Sequence, residues 1–261
     1  MYPMIHNYSR CSIKMNKFLH LLAGRQQSGL IIVILFLGII LTFSAGTHPD
    51  RKTGRQVNNF FNSYTLMQTA TDASFFAIMA VGATMVIIYG GIDLSVGSVY
   101  ALCGVLTAML LRHFQMDGPA ALVTAICVSL VIGLVCGLLN GLMVIGLNVH
   151  PFIITLGTMW IFRGIAFVMS KAESILLPGS VMAFAKANLG LSSALYPVPM
   201  LVMIGVTAAG AFYLYKTVMG RHIYAVGGNA QASRYAGLNV ERITVSVFAI
   251  SGLTAGIAAF L

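Results

Sequence analysis

Long apolar stretches recur along this chain, each closed off by a short polar or basic segment. They run over 29–45, 67–89, 96–111, 120–147, 151–170 and 199–215, and a last one begins near 243. At a rise of about 1.5 Å per residue, helices of these lengths approach or exceed the roughly 30 Å of hydrocarbon in a bilayer. The short alternating segments of a transmembrane barrel are missing. The pattern predicts an all-α fold, a polytopic bundle of transmembrane helices. The polar stretch 46–65 and the loop 171–198 separate spans and do not read as folded domains. The spans therefore read as one transmembrane domain, 29–261, of about seven spans, behind a basic arm at 1–28.

Composition supports this reading. Of the 261 residues, 58% are hydrophobic and only 8% charged, against about 25% charged in soluble domains. The net charge of +9 fits basic residues gathered in cytoplasmic loops. A nucleic-acid partner is excluded, because no basic surface domain with interleaved aromatics is present. Arg10, Lys14, Lys17 and Arg25 precede the first span, and Lys216, Arg221, Arg234 and Arg242 follow the sixth. An even number of crossings places both groups on one side, predicted to be the cytoplasm, with the N-terminus inside. Arg51, Lys52 and Arg55 run against that trend, and a re-entrant 67–89 would change the parity. Ser44-Ala45-Gly46 imitates a signal-peptidase site, but the basic arm is long for a signal peptide, so the first span is read as uncleaved.

Cys103, Cys127 and Cys136 lie within apolar runs and Cys11 in the arm. No CxxC or Cys/His cluster occurs, so neither a disulfide framework nor a metal site is supported, and no cofactor is predicted. The chain stops at Leu261 inside the apolar run 245–261 without a polar flank. Such an ending leads to the expectation of a truncated chain that would not transport alone.

Gly90-Gly91-Ile92-Asp93-Leu94-Ser95 stands between two apolar spans. Paired glycines are poor helix formers, whereas Asp and Ser are good N-caps. One helix should end near Tyr89 and another begin just after Asp93 or Ser95, its first amides satisfied by the Asp93 carboxylate or the Ser95 hydroxyl. Capping alone accounts for these residues. A break beside a permeation path is compatible with that, since transporters use discontinuous helices there. Arg163 lies roughly 18 Å along the helix that begins at Pro151, where arginines face a polar cavity or a carboxylate, and Asp93 is a candidate partner. Gly133, Gly137 and Gly141 recur every four residues and predict close packing of a neighbouring helix. Asn140, on an adjacent face, is placed to hydrogen-bond across helices.

After the sixth span, Asn229 is a good N-cap, 230–236 favours helix and Gly237 suits a left-handed stop. A short interfacial helix able to dock on a soluble partner is predicted there, within the segment 216–243. No GxxxxGK[ST] loop occurs, so ATP is not hydrolysed here by the P-loop route.

Three blocks carry a resemblance. They are 78–102, with Gly91-Ile92-Asp93-Leu94-Ser95-Val96-Gly97-Ser98; 137–164, with Asn140-Gly141, Pro151-Phe152-Ile153-Ile154-Thr155-Leu156-Gly157-Thr158-Met159 and Arg163-Gly164; and 220–256, with Gly227-Gly228-Asn229 and Ala236-Gly237. In this order they resemble the permease subunits of bacterial monosaccharide ABC importers, the ribose, arabinose, galactofuranose and autoinducer-2 permease family. The resemblance implies a bacterial inner-membrane protein that passes a pentose- or hexose-type sugar from a periplasmic sugar-binding protein to the cytoplasm. It implies a core of two permeases, a second copy or a homologue, surrounded by lipid. It also implies ATP-binding cassette subunits that hydrolyse the ATP, leaving this chain a transport subunit and not an enzyme. Gly90, Gly91, Asp93, Ser95, Asn140 and Arg163 are then translocation-path or helix-break candidates. Gly220, Arg221, Gly228, Asn229, Arg234 and Gly237 are candidates for coupling to the cassette. The family continues through further spans beyond the position of Leu261. The competing readings are a secondary transporter or channel using Asp93 and Arg163, and a truncated fragment without function.

Overall fold

The computed structural model describes residues 26–49, 54, 56–187 and 197–261. The basic arm falls almost wholly outside the described residues. The described part divides into two units, one up to Leu66 and one from Met67 to Leu261.

In the first unit, helix α1 (Gln26–Ser44) leads into a short antiparallel ribbon of β1 (Thr47–Pro49) and β2 (Gln56–Asn58). Asparagines tie it off: Asn58 Nδ2 donates to the Thr42 carbonyl and Asn59 Nδ2 to the Ala45 carbonyl, both at 2.6 Å. The stretch 46–65 is therefore more ordered than a polar linker, because its Asn side chains replace the main-chain partners a three-residue ribbon lacks. The apolar part of α1, Gly29–Ser44, is shorter than the other spans.

Helix α2 (Ser63–Tyr89) runs uninterrupted for 27 residues. It is followed by α3 (Val96–His113), α4 (Gly118–Leu147) and α5 (Pro151–Ser170). A one-and-a-half-turn-plus helix α6 (Gly179–Ala185) sits in the loop that the sequence left unstructured. Then come α7 (Pro197–Lys216), α8 (Val218–Gly228), α9 (Ala230–Tyr235) and α10 (Val240–Phe260). Among the described residues, α2, α3, α4, α5, α7 and α10 are long and apolar enough to cross a membrane.

Helix α10 is the centre of the second unit. Its most apolar window is 61% buried, against 17% for that of α7. Val247 and Phe248 are fully buried and pack with Met85 and Val86 of α2, Val144 of α4, and Ile223 and Val226 of α8. Further along, Ala255 joins Val99, Leu102 and Cys103 of α3, Cys136 of α4 and Phe162 of α5. The predicted close approach is made by α4 against α10. A Cβ at Gly137 would collide with the Phe248 carbonyl oxygen, and one at Gly133 with that of Gly252. With the backbones this near, the Ser129 hydroxyl donates across to the Gly256 carbonyl at 2.6 Å. Small residues serve the same purpose in membrane helix pairs generally, since lipid supplies no hydrophobic drive between helices.

Candidate functional site

The glycine pair ends α2 as the local chemistry requires. The Gly90 amide donates to the Ile87 carbonyl and the Gly91 amide to the Val86 carbonyl, both at 2.9 Å. With Gly90 at φ +94, this is a Schellman stop, which needs a left-handed residue that only glycine adopts cheaply. Residues 91–95 then run without helix to Val96.

Asp93 sits in that gap, half-buried. Its Oδ1 accepts from the Ser95 amide at 2.9 Å and from the Ser95 hydroxyl at 2.7 Å. Its Oδ2 accepts from the Ser251 hydroxyl of α10 at 2.8 Å. The carboxylate thus holds the start of α3 and ties it to α10. Ser95 occupies the N-cap position of α3, but its side chain does not cap, contrary to one of the two sequence options. Its single hydroxyl proton goes to the stronger, charged acceptor. The Ser95 oxygen remains free to accept, and Asn140 Nδ2 donates to it at 2.7 Å. Asn140 is 1% exposed, and among the described residues its Oδ1 has no donor. From α5, the Thr155 hydroxyl donates to the Ile92 carbonyl at 3.0 Å. Four helices, α3, α4, α5 and α10, therefore meet at this break through polar groups.

Of the six path candidates, Gly90, Gly91, Asp93, Ser95 and Asn140 come together, and Arg163 does not. Arg163 is exposed on α5, and the single ion pair among the described residues lies elsewhere, between Arg234 and Glu241. The proposed Asp93–Arg163 pair is not formed. Phe162 and Ala166 turn one side of α5 into the core, leaving Leu156, Trp160, Arg163 and Phe167 on the uncovered side. Ser251, which the sequence reading missed, takes the place assigned to Arg163. A serine inside an apolar run gives no signal of its own.

The segment after α7 is built from successive caps. Thr217 Oγ1 accepts from the Gly220 amide at 3.1 Å and opens α8, which the sequence reading did not foresee. Asn229 Oδ1 accepts from the Ala232 amide at 2.8 Å and opens α9 as predicted. Gly237, at φ +84, stops α9 with the Leu238 amide on the Ser233 carbonyl at 3.0 Å. Asn239 Oδ1 then accepts from the Arg242 amide at 2.9 Å and opens α10. Gly220 is pressed against the Tyr213 and Leu214 carbonyls, so α8 folds back tightly on the end of α7. Arg221, Gly228, Asn229, Arg234 and Gly237 are exposed. Arg234 Nη2 meets Glu241 Oε1 at 2.6 Å, linking α9 to the first turn of α10.

Beside this segment lies an open cleft of about 490 Å³, lined by Tyr89, Asn148, His150, Arg234, Glu241 and Thr244 among others. The Tyr89 and Thr244 hydroxyls are hydrogen-bonded at 2.7 Å on its wall. Among the described residues no group of His, Cys, Asp and Glu is arranged to hold a metal ion.

The family described as "Branched-chain amino acid transport system / permease component" matches residues 65–261. The chain is 36% identical to the ribose import permease protein RbsC of Haemophilus influenzae over 237 residues, covering 90% of this chain and 68% of that protein. It is 35% identical to the D-allose transport system permease protein AlsC of Escherichia coli over 201 residues, covering 76% of this chain and 59% of that protein. The fructose import permease protein FrcC of Rhizobium meliloti is 32% identical over 204 residues, with 76% and 56% covered. No solved structure matches.

Proposed function

The chain belongs to the permease-component family of branched-chain amino acid transport systems, and we propose that it is the membrane-spanning subunit of an ATP-driven sugar importer. In this reading it receives a pentose- or hexose-type sugar from a periplasmic binding protein and releases it to the cytoplasm. ATP is hydrolysed by separate cassette subunits. A sugar is favoured over an amino acid because the relatives named above are ribose, allose and fructose permeases. The observation that carries the reading is the capped α8–α9 segment. It is an ordered, polar-faced element between two spans, presenting Arg221, Asn229 and Arg234 outward. A connection between spans alone needs no such chain of caps.

Positive charge at 216–242 favours a cytoplasmic place for this segment, and with α1 counted as a crossing the N-terminal arm falls on the same side. The break at Gly90–Ser95, with Asp93 and the unpartnered Asn140 oxygen, supplies the polar groups beside the path. Arg163 is the second polar element. A cation in the middle of an apolar span, facing lipid, costs about 2.5–3.5 kcal/mol on insertion scales. A second permease copy covering the Trp160–Arg163 side of α5 would lower that cost only by bringing a carboxylate or carbonyl acceptors to the guanidinium.

The test is uptake of labelled ribose, allose and fructose by proteoliposomes holding the permease, its cassette subunits and the loaded binding protein. The reading expects uptake of one such sugar that requires ATP on the cassette side, with no competition from leucine. Uptake driven by an ion gradient without the cassette would establish a secondary transporter instead.

A further inference from the structure

Of the contacts made by the α8–α9 segment, one reaches the polar break directly. Gly227, in the last turn of α8, lies against the backbone at the end of α2. A Cβ there would collide with the Ile88 carbonyl oxygen, with the Ile88 carbonyl carbon 2.9 Å and the Tyr89 carbonyl carbon 3.3 Å away. A Cβ built on Gly90 would in turn stand 4.0 Å from Gly227 Cα. This is backbone against backbone, with no flexible side chain able to give way. Ile223 and Val226, on the same helix, are buried in the core cluster with Met85 and Val86 of α2. The end of α8 is thus fixed to the last turn of α2 by both apolar packing and steric fit. The two amides that form the Schellman stop, Gly90 and Gly91, follow immediately, and Asp93 is two residues further on.

We propose that Gly227 is a positioning residue for transport: it seats α8 on the α2 terminus so that movement of the α8–α9 segment is passed to the Gly90–Ser95 break. Displacing α8 moves the Ile88 and Tyr89 backbone, and with it the stop whose geometry sets where Asp93 meets Ser95 and Ser251. The close fit matters because packed backbones transmit displacement, whereas side chains with free rotamers absorb it. This inference rests on the reading of α8–α9 as the cassette-docking segment, and its consequence is local and measurable.

The test is amide hydrogen exchange on the complete permease–cassette complex, compared without nucleotide and with ATP plus vanadate. Both the segment 220–237 and the amides of 88–95 should change their exchange rates, by fivefold or more at Gly90 and Gly91. A response of 220–237 with 88–95 unchanged overturns the inference while leaving the docking reading intact. If neither segment responds, the docking reading fails and the inference fails with it. In the same complex, Gly227→Ala should lower sugar moved per ATP hydrolysed at least tenfold, while the cassette still co-purifies and still hydrolyses ATP. Gly146→Ala is the matched comparison, an exposed helical glycine with nothing within 4 Å of the added Cβ, and should behave as the parent. Gly227→Ala coupling sugar to ATP as the parent does would also overturn the proposal. Where that variant fails to assemble, the exchange measurement on the unsubstituted complex decides.

Discussion

Replacing Asp93 separates its structural task from any role of its charge. The carboxylate accepts from the Ser95 amide, the Ser95 hydroxyl and the Ser251 hydroxyl at 2.9, 2.7 and 2.8 Å. Hydrogen bonds to a charged acceptor contribute about 1.5–3 kcal/mol each, and a buried donor left unmade costs about 1–3 kcal/mol. Asp93 is only half-buried, so water replaces part of what Asp93→Ala removes. The Ser95 hydroxyl can also turn toward Asn140 if that amide rotates. The net loss for Ala should be about 2–6 kcal/mol, taking two donors as truly stranded, with solvent drawing it toward the lower end. Asp93→Asn keeps an oxygen for the Ser95 amide and hydroxyl, and its new NH₂ can donate to Ser251, whose hydroxyl both gives and accepts. Its cost should be about 1–2 kcal/mol, the difference between charged and neutral hydrogen bonds. Ser251→Ala removes one of three donors and should cost about 1–2 kcal/mol. The assay is the temperature at which the purified protein in lipid nanodiscs loses its monodisperse elution peak, ranked across the three variants. The order Ala below Asn and below the Ser251 variant is expected. Equal midpoints for Asp93→Ala and Asp93→Asn, both at the parent value, would refute the view that Asp93 holds the start of α3.

Three further outcomes follow from the same geometry. Gly137→Ala should destabilise by about 1–3 kcal/mol, since its Cβ meets a backbone carbonyl across the α4–α10 contact, whereas Gly146→Ala, in open space, should stabilise by about 0.4–1 kcal/mol; the same thermal elution assay reads both. Arg234→Ala should leave stability within about 1 kcal/mol, because the Arg234–Glu241 pair is solvent-exposed, yet it should reduce co-purification of the cassette subunit. Equal loss of stability and of cassette binding would mean the pair is only structural. Cysteine in place of Trp160 on the uncovered side of α5 should form a disulfide between two permease copies, while cysteine in place of Phe162, buried against α3, should not.

Local chemistry was legible where residues act on their own neighbours. Gly90, Gly91 and Asp93 announced the end of α2 and the start of α3, and Asn229 and Gly237 bounded α9 to within a residue. The Gly133–Gly141 spacing announced a close helix contact, though not that α10 makes it. What escaped the sequence depends on which helices meet. Ser251 is 158 residues from Asp93, and a lone serine in an apolar run has many uses. The depth of Arg163 along its helix points to a carboxylate such as Asp93, but the rotation of α5 is set by Phe162 and Ala166 packing on α3, which turns Arg163 away. Helix α8 was missed because its Gly-rich end reads as loop. Of its glycines, Gly220 at the start serves approach to Leu214 and Gly227 at the end approach to Ile88, not flexibility.

The most direct test of the account is a cysteine at Gln231, exposed on α9, in a background without the native cysteines. Membranes from cells that also make the cassette and binding protein would be treated with a short bifunctional thiol reagent. The account predicts a crosslink from position 231 to the cassette subunit, lost when the cassette is omitted, and no labelling of intact cells by an impermeant thiol reagent. Labelling of that cysteine from outside intact cells, with no crosslink to the cassette, would contradict it.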